Sequence, residues 1–225
     1  MRHLSKASEP AVLIAEGHNW TARFTIEQSA GKTSFSPWRN MTVVSALVQE
    51  TNGKCAYCEG VIADVAPPHV EHILPKARRP DLVVDWRNLT LACPVCNTNK
   101  LDYYSVAAPL LNPYRDDPET HLQFSGPLIT GRPGDDLGGR TVARLKLARP
   151  ALIIERSKRI QSLAVLIDRW FKATDPDEKL IYEESVNDEL KDDAEYVGTL
   201  RAFAKLSGFP VVTTFPADEG NANQV

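Results

Sequence analysis

Apolar residues recur at two different spacings along this 225-residue chain, and the two spacings divide it. Val44, Leu47 and Val48 fall on one face of a 3.6-residue period, and Asn52-Gly53 supplies a stop, so Met41 to Thr51 is predicted helical. A period of two follows. Val61 to Val70 reads as a strand, a turn around Pro67-Pro68 and a second strand. On that second strand His69, Glu71 and Ile73 share one side, with Val70 and His72 on the other. Asp85 to Asn88 reads as a loop, Leu89 to Ala92 as a short strand or turn, and Pro94 to Tyr103 as a helix. His121 to Phe124 and Pro127 to Thr130 suit a hairpin. The helical period then returns. Thr141 caps one helical region, and Ala151 to Lys172 carries Leu152, Ile160, Leu163 and Ile167 on its apolar face. Asp175 caps an acidic helix to about Lys191, and Ala194 to Leu206 forms the last.

This order divides the chain into five parts. Residues 1–40 form an N-terminal arm and a candidate partner contact; Pro10 to Glu16 within it starts a helix or a strand, and Gly17 to Asn40 is polar and irregular. Residues 41–105 are a strand–strand–helix core, 106–139 a breaker-rich connection with the hairpin, 140–210 a helical region and 211–225 a disordered tail. The fold class is α+β. An apolar fraction of 43% supports a real core. The net charge of −3 hides an asymmetry. Residues 140–172 hold nine basic side chains against two acids, a balance of +7, whereas residues 175–195 hold ten acids against two lysines. The basic segment therefore contacts DNA backbone or a partner protein, or else is solvated and paired with the acidic helix. Trp170 and Phe171 read as core residues.

Some function classes drop out. Gly31-Lys32-Thr33 lacks the earlier glycine and the apolar strand of a phosphate-binding loop. The N-terminus has no apolar signal core, and no run is long enough to span a bilayer. The chain reads as a cytoplasmic protein with no membrane partner.

The chemistry concentrates between Lys54 and Asp102. All four cysteines lie there, as Cys55-x-x-Cys58 and Cys93-x-x-Cys96. Two such knuckles complete a tetrahedral thiolate site suited to structural Zn²⁺, with no position left open for catalysis. A redox pair or four unligated thiols would not require two matched knuckles. Tyr57, inside the first, reads as a packing residue. Glu71 and Asn97 offer a carboxylate and an amide oxygen, ligands for Mg²⁺ or Mn²⁺ with waters completing the shell. A neutral His72 could take a proton from water.

The series Cys55-x-x-Cys58, Glu71-His72-Ile-Leu-Pro75, Asn88, Cys93-x-x-Cys96-Asn97-x-x-Lys100 resembles the His-Asn-His (HNH) endonucleases of the ββα-metal class. The resemblance covers about 50 residues of the sequence. It implies a zinc-stapled ββα-metal core with a mainly helical C-terminal region. It further implies that His72 is the general base, Glu71 and Asn97 ligate the catalytic metal, and Asn88 is the central Asn that braces the loop. Lys100 would then lie near phosphate, and Lys76, Arg78 and Arg79 are further candidate nucleic-acid contacts. Asn97 stands where the family often has His. His69 is a partner of the site, an extra ligand or a surface histidine. Met1 to Pro10, Leu111 to Leu122 and Gly139 to Pro150 are similar to HNH proteins of bacterial anti-phage systems. Those are the PtuB-like nuclease subunits of Septu-type defence and retron-associated HNH proteins. That similarity implies a DNA-cleaving effector beside an ABC/SMC-type, PtuA-like ATPase. The alternative is a zinc-knuckle module that binds nucleic acid or protein without cutting.

Overall fold

A computed structural model describes residues 1–32, 34–62 and 69–211. The expected turn at Pro67-Pro68 and the tail beyond Val211 lie outside the described residues. In chain order the elements are helices α1 (Ala11–Ser29) and α2 (Met41–Thr51), strand β1 (His69–His72), strand β2 (Leu89–Ala92) and helix α3 (Pro94–Lys100). Helix α4 (Pro118–His121), the hairpin β3 (Leu122–Ser125) and β4 (Leu128–Gly131), and helices α5 (Asp136–Leu145), α6 (Pro150–Lys172), α7 (Pro176–Glu189) and α8 (Val197–Leu206) follow. The architecture is mixed helix with small sheets, ending in a helical region.

Strands β1 and β2 pair antiparallel, with His69 opposite Ala92, Glu71 opposite Thr90 and His72 opposite Leu89. Beneath this pair lies the larger core, where Leu13, Phe24, Trp38, Val43, Leu47, Leu89 and Leu91 meet the knuckle residues and Leu145, Leu147 and Leu152. A second cluster (Leu163, Ile167, Val186, Leu190, Leu200, Ala204) holds the distal half of α6 to α7 and α8. Trp170 packs against this second cluster, while Phe171 stays largely exposed. Among the described residues no helix is long and apolar enough to cross a membrane.

The N-terminal segment departs from the irregular reading. Residues 11–29 are one helix. Leu13 and Phe24 are buried, with Trp20 partly buried on the same stripe. Those anchors are three turns apart and diluted by polar residues, so the period is weak in sequence although the helix buries its stripe well. Met1 is buried too, its ammonium paired with Glu59.

Helix α5 begins earlier than Thr141, at the cap Asp135, whose carboxylate accepts from Gly138 N at 2.7 Å. Thr141 lies inside the helix instead, donating to Leu137 O at 2.7 Å and accepting from Leu111 N at 2.9 Å. Gly138, in the stretch expected to be breaker-rich, lets α5 lie directly against His121 and the hairpin. A Cβ on Gly138 would stand 2.1 Å from His121 O, whereas one on Gly139 would meet open space. Gly138→Ala is therefore expected to cost about 3 kcal/mol, the upper end of overpacking penalties. Gly139→Ala should instead stabilise by about 0.5–1 kcal/mol through helix propensity. Urea midpoints of the two variants check this; equal shifts would remove the close-approach explanation.

The basic segment turns inward more than outward. Arg144 donates to Lys100 O at 2.9 Å and Arg156 to Leu147 O at 2.8 Å. Arg159 reaches Glu189 on the acidic helix at 2.5 Å.

Candidate active site and four-cysteine centre

Helix α2 ends with Asn52 and Gly53 both at positive φ, a left-handed stop that delivers the chain into the first knuckle. The knuckle closes through Cys55 N to Gly60 O at 3.0 Å and Glu59 N to Cys55 O at 2.9 Å. Ala56 N donates to Leu91 O at 2.9 Å, which pins the knuckle to β2. The second knuckle opens α3: Cys93 caps the helix, its sulfur accepting from Cys96 N at 3.4 Å. All four sulfurs lie within 4.8 Å of one another, and Cys58 Sγ is 3.9 Å from Cys93 Sγ. Tetrahedral Zn–S bonds of about 2.3 Å place sulfurs about 3.8 Å apart, so the set fits a Zn²⁺ ion. Arg149, at the cap of α6, points its guanidinium at Cys96 Sγ (3.6 Å) and Cys93 Sγ (4.0 Å). That cation offsets part of the charge of a tetrathiolate centre, and it ties the helical region to the knuckles. Nothing in the sequence around Arg149-Pro150 marks it for this contact.

Glu71 and His72 sit on opposite faces of β1, and both are about 4% exposed. Glu71 Oε1 is 2.6 Å from Lys100 Nζ, which also donates to His72 O at 2.8 Å. Tyr57, buried as expected, donates to the same carboxylate oxygen at 3.4 Å. Burial pushes the Glu71 carboxyl up, with the Lys100 ammonium pulling the other way. His72 Nε2 lies 2.9 Å from Val83 O. A carbonyl only accepts, so Nε2 carries the proton and Nδ1 keeps its lone pair. Burial pushes this imidazole down to about 3, so it is neutral at physiological pH. The Trp38 ring meets it edge-on at 5.1 Å; no sequence signal linked this tryptophan to the site.

Asn88 clamps the intervening segment. Its Oδ1 accepts from Leu74 N at 2.7 Å, and its Nδ2 donates to Leu74 O at 3.0 Å and Leu82 O at 3.1 Å. Asn97 is the fourth residue of α3, the helix packed against β1, and is half-buried. Lys76 is half-buried with Nζ 5.0 Å from the Trp38 ring centroid, close enough for its charge to act on both Glu71 and His72. Arg78 and Arg79 are in surface pairs with Asp102 (3.7 Å) and Asp81 (2.6 Å). His69 is exposed at the start of β1. Lys100 is buried and paired with Glu71.

Comparison with known proteins agrees with this geometry. The family model described as HNH endonuclease matches residues 55–102. The chain is 31% identical over 176 residues to the Septu protein PtuB of Bacillus thuringiensis, covering 75% of this chain and 65% of that protein. It is 28% identical over 197 residues to the Septu protein PtuB of Bacillus mycoides, covering 70% of this chain and 66% of that protein. The chain thus spans just under two thirds of the length of these relatives. With its paired strands, following helix and clustered cysteines, the stretch from Cys55 to Asp102 belongs to the HNH endonuclease family.

Proposed function

We propose that this chain is a metal-dependent phosphodiesterase that cuts DNA, the nuclease effector of a Septu-type anti-phage system working beside a PtuA-like ATPase of the ABC/SMC type. The observation that carries the hydrolytic reading is the orientation of His72: its Nε2–H is fixed on Val83 O at 2.9 Å, which leaves Nδ1 as the ring nitrogen able to accept a proton. In this reading Cys55, Cys58, Cys93 and Cys96 hold a structural Zn²⁺, which fixes the turn after α2 to the start of α3. Glu71 and Asn97 would hold Mg²⁺ or Mn²⁺, which supplies Lewis-acid stabilisation of charge developing on the phosphate. His72 takes the proton of the attacking water. Asn88 ties Leu74 to Leu82, next to the Val83 carbonyl that holds the imidazole. Lys100 holds the Glu71 carboxylate in place, and Lys76, Arg78 and Arg79 offer charge to the DNA backbone.

Both relatives are named Septu proteins, which supports that setting over a retron one. A non-catalytic binding module would leave the buried Glu71–Lys100 pair and the oriented imidazole without a purpose. Plasmid nicking with Mg²⁺ or Mn²⁺, by the protein co-purified with its ATPase partner, tests the reading. His72→Ala should lower the rate by about 10²–10⁴-fold, the usual contribution of a general base. Equal nicking by the variant and the parent would overturn it.

A further inference from the structure

We infer that the cavity beside the HNH site is a nucleotide pocket that selects DNA in which a base is already unpaired; this rests on the nuclease reading above. The cavity has a volume of about 560 Å³. That lies within the ~300–1,000 Å³ range of sites that enclose a small molecule. Its floor is made of Tyr57, Asn88 and Lys100, the side chains that brace Glu71 and the loop under His72. Whatever enters therefore sits against the side chains that brace Glu71 and the loop under His72.

The walls match a base and a phosphate separately. Leu82, Leu110 and Leu111 form an apolar side, and Tyr103 and Tyr104 line another. Tyr103 is rigid: its hydroxyl donates to Ala108 O at 2.7 Å and Arg144 lies 5.2 Å from the ring centroid. Tyr104 is 38% exposed, leaving ring surface on which a base can stack. Base–aromatic stacking tolerates any sequence because every base has a π face. Arg87 and Arg115 also line the cavity and are exposed, so their cations can meet sugar–phosphate outside it. Among the described residues the Arg115 guanidinium is engaged by its neighbour Asp116 at 3.2 Å, a solvated pair that competes weakly.

Backbone strain points to the same place. Leu101, 61% exposed, holds φ 51° and ψ −133° at the end of α3, a conformation that L side chains rarely adopt. The turn it makes directs Tyr103 and Tyr104 to the cavity next to Lys100. Strain of this kind is concentrated at binding sites. A paired base cannot use such a pocket without being unstacked first, at a cost of a few kcal/mol, so a base already unpaired is favoured.

The test uses the full zinc-loaded chain carrying His72→Ala, so that binding is read without cutting. Fluorescence anisotropy would compare a labelled single-stranded deoxyoligonucleotide with its blunt duplex and with RNA of the same sequence, at one salt concentration. The single strand should bind at least tenfold tighter than the duplex. Leu110→Trp, which fills the cavity, should lower single-strand affinity at least fivefold and leave duplex binding unchanged. Tyr104→Ala, at an exposed position, should do the same without threatening the fold. Equal or tighter duplex binding, no single-strand binding, tighter RNA binding, or no effect of both variants would each overturn the pocket. Displacement by a free deoxynucleotide as effective as the strand would also overturn it, by making the cavity a free-nucleotide site. The nuclease reading fails separately, if plasmid nicking survives His72→Ala.

Discussion

Removing the metal from Cys55, Cys58, Cys93 and Cys96 is expected to abolish the cooperative melt of the whole described fold. The four sulfurs join the turn after α2 to the start of α3, and neither knuckle has a long element of its own. Other parts of the chain are tied to the same spot. Arg149 links α6 to two of the sulfurs, and Glu59, inside the first knuckle, accepts from Gly198 N at 2.9 Å and pairs with the Met1 ammonium. Zinc contributes about 10–16 kcal/mol of apparent binding free energy to small tetrathiolate and related sites. Losing that is comparable to the whole stability of a typical domain, about 5–15 kcal/mol. A chelator titration followed by near-ultraviolet circular dichroism, with released zinc measured by a colorimetric indicator, should show one transition at which both signals change together. Adding Mg²⁺ should not restore it, because hard cations prefer oxygen ligands. An unchanged melt after stoichiometric zinc release would show that the larger core suffices without the staple.

Lys100→Met should be the most damaging single substitution in the candidate site that keeps the four cysteines and the His72 side chain. It removes the ammonium 2.6 Å from Glu71 while the carboxylate stays about 4% exposed. An unpaired buried charge costs about 3–5 kcal/mol, whereas replacing both partners by apolar groups is often neutral. Lys100→Met alone is therefore expected to lower the urea midpoint strongly, and Lys100→Met combined with Glu71→Leu should recover most of the loss. The recovery distinguishes a charge effect from a packing effect. A double variant as unstable as the single one would mean that the lysine stem, not its charge, matters. Neither variant should cut DNA, since both disturb the carboxylate assigned to the metal.

Parts of this site are legible in the sequence because their chemistry is local. Thiolate pairs that bind one metal from a single turn usually have two to four residues between them, so Cys55-x-x-Cys58 and Cys93-x-x-Cys96 can be recognised without any fold. Helices α2 and α6 carry dense apolar stripes, and their predicted spans agree with the structure to within a residue. Helix α1 does not, since only Leu13, Trp20 and Phe24 mark its buried side. Gly138 was misleading for a different reason. Its missing side chain answers to the hairpin across from it, and nothing within α5 reveals that neighbour.

The candidate site divides the same way. Sequence by itself determined which side chains are available: four thiolates, the Glu71-His72 step on a strand, Asn88, Asn97 and Lys100, in an order that matches one nuclease family. Only the tertiary structure decided what those groups are. Packing of α3 on β1 put Lys100 against Glu71, Trp38 came from 34 positions upstream to cover His72, and Val83 O chose the imidazole tautomer. Protonation, tautomer and pairing depend on what surrounds a group in space. Burial and through-space charge set them, and neither follows from spacing along the chain.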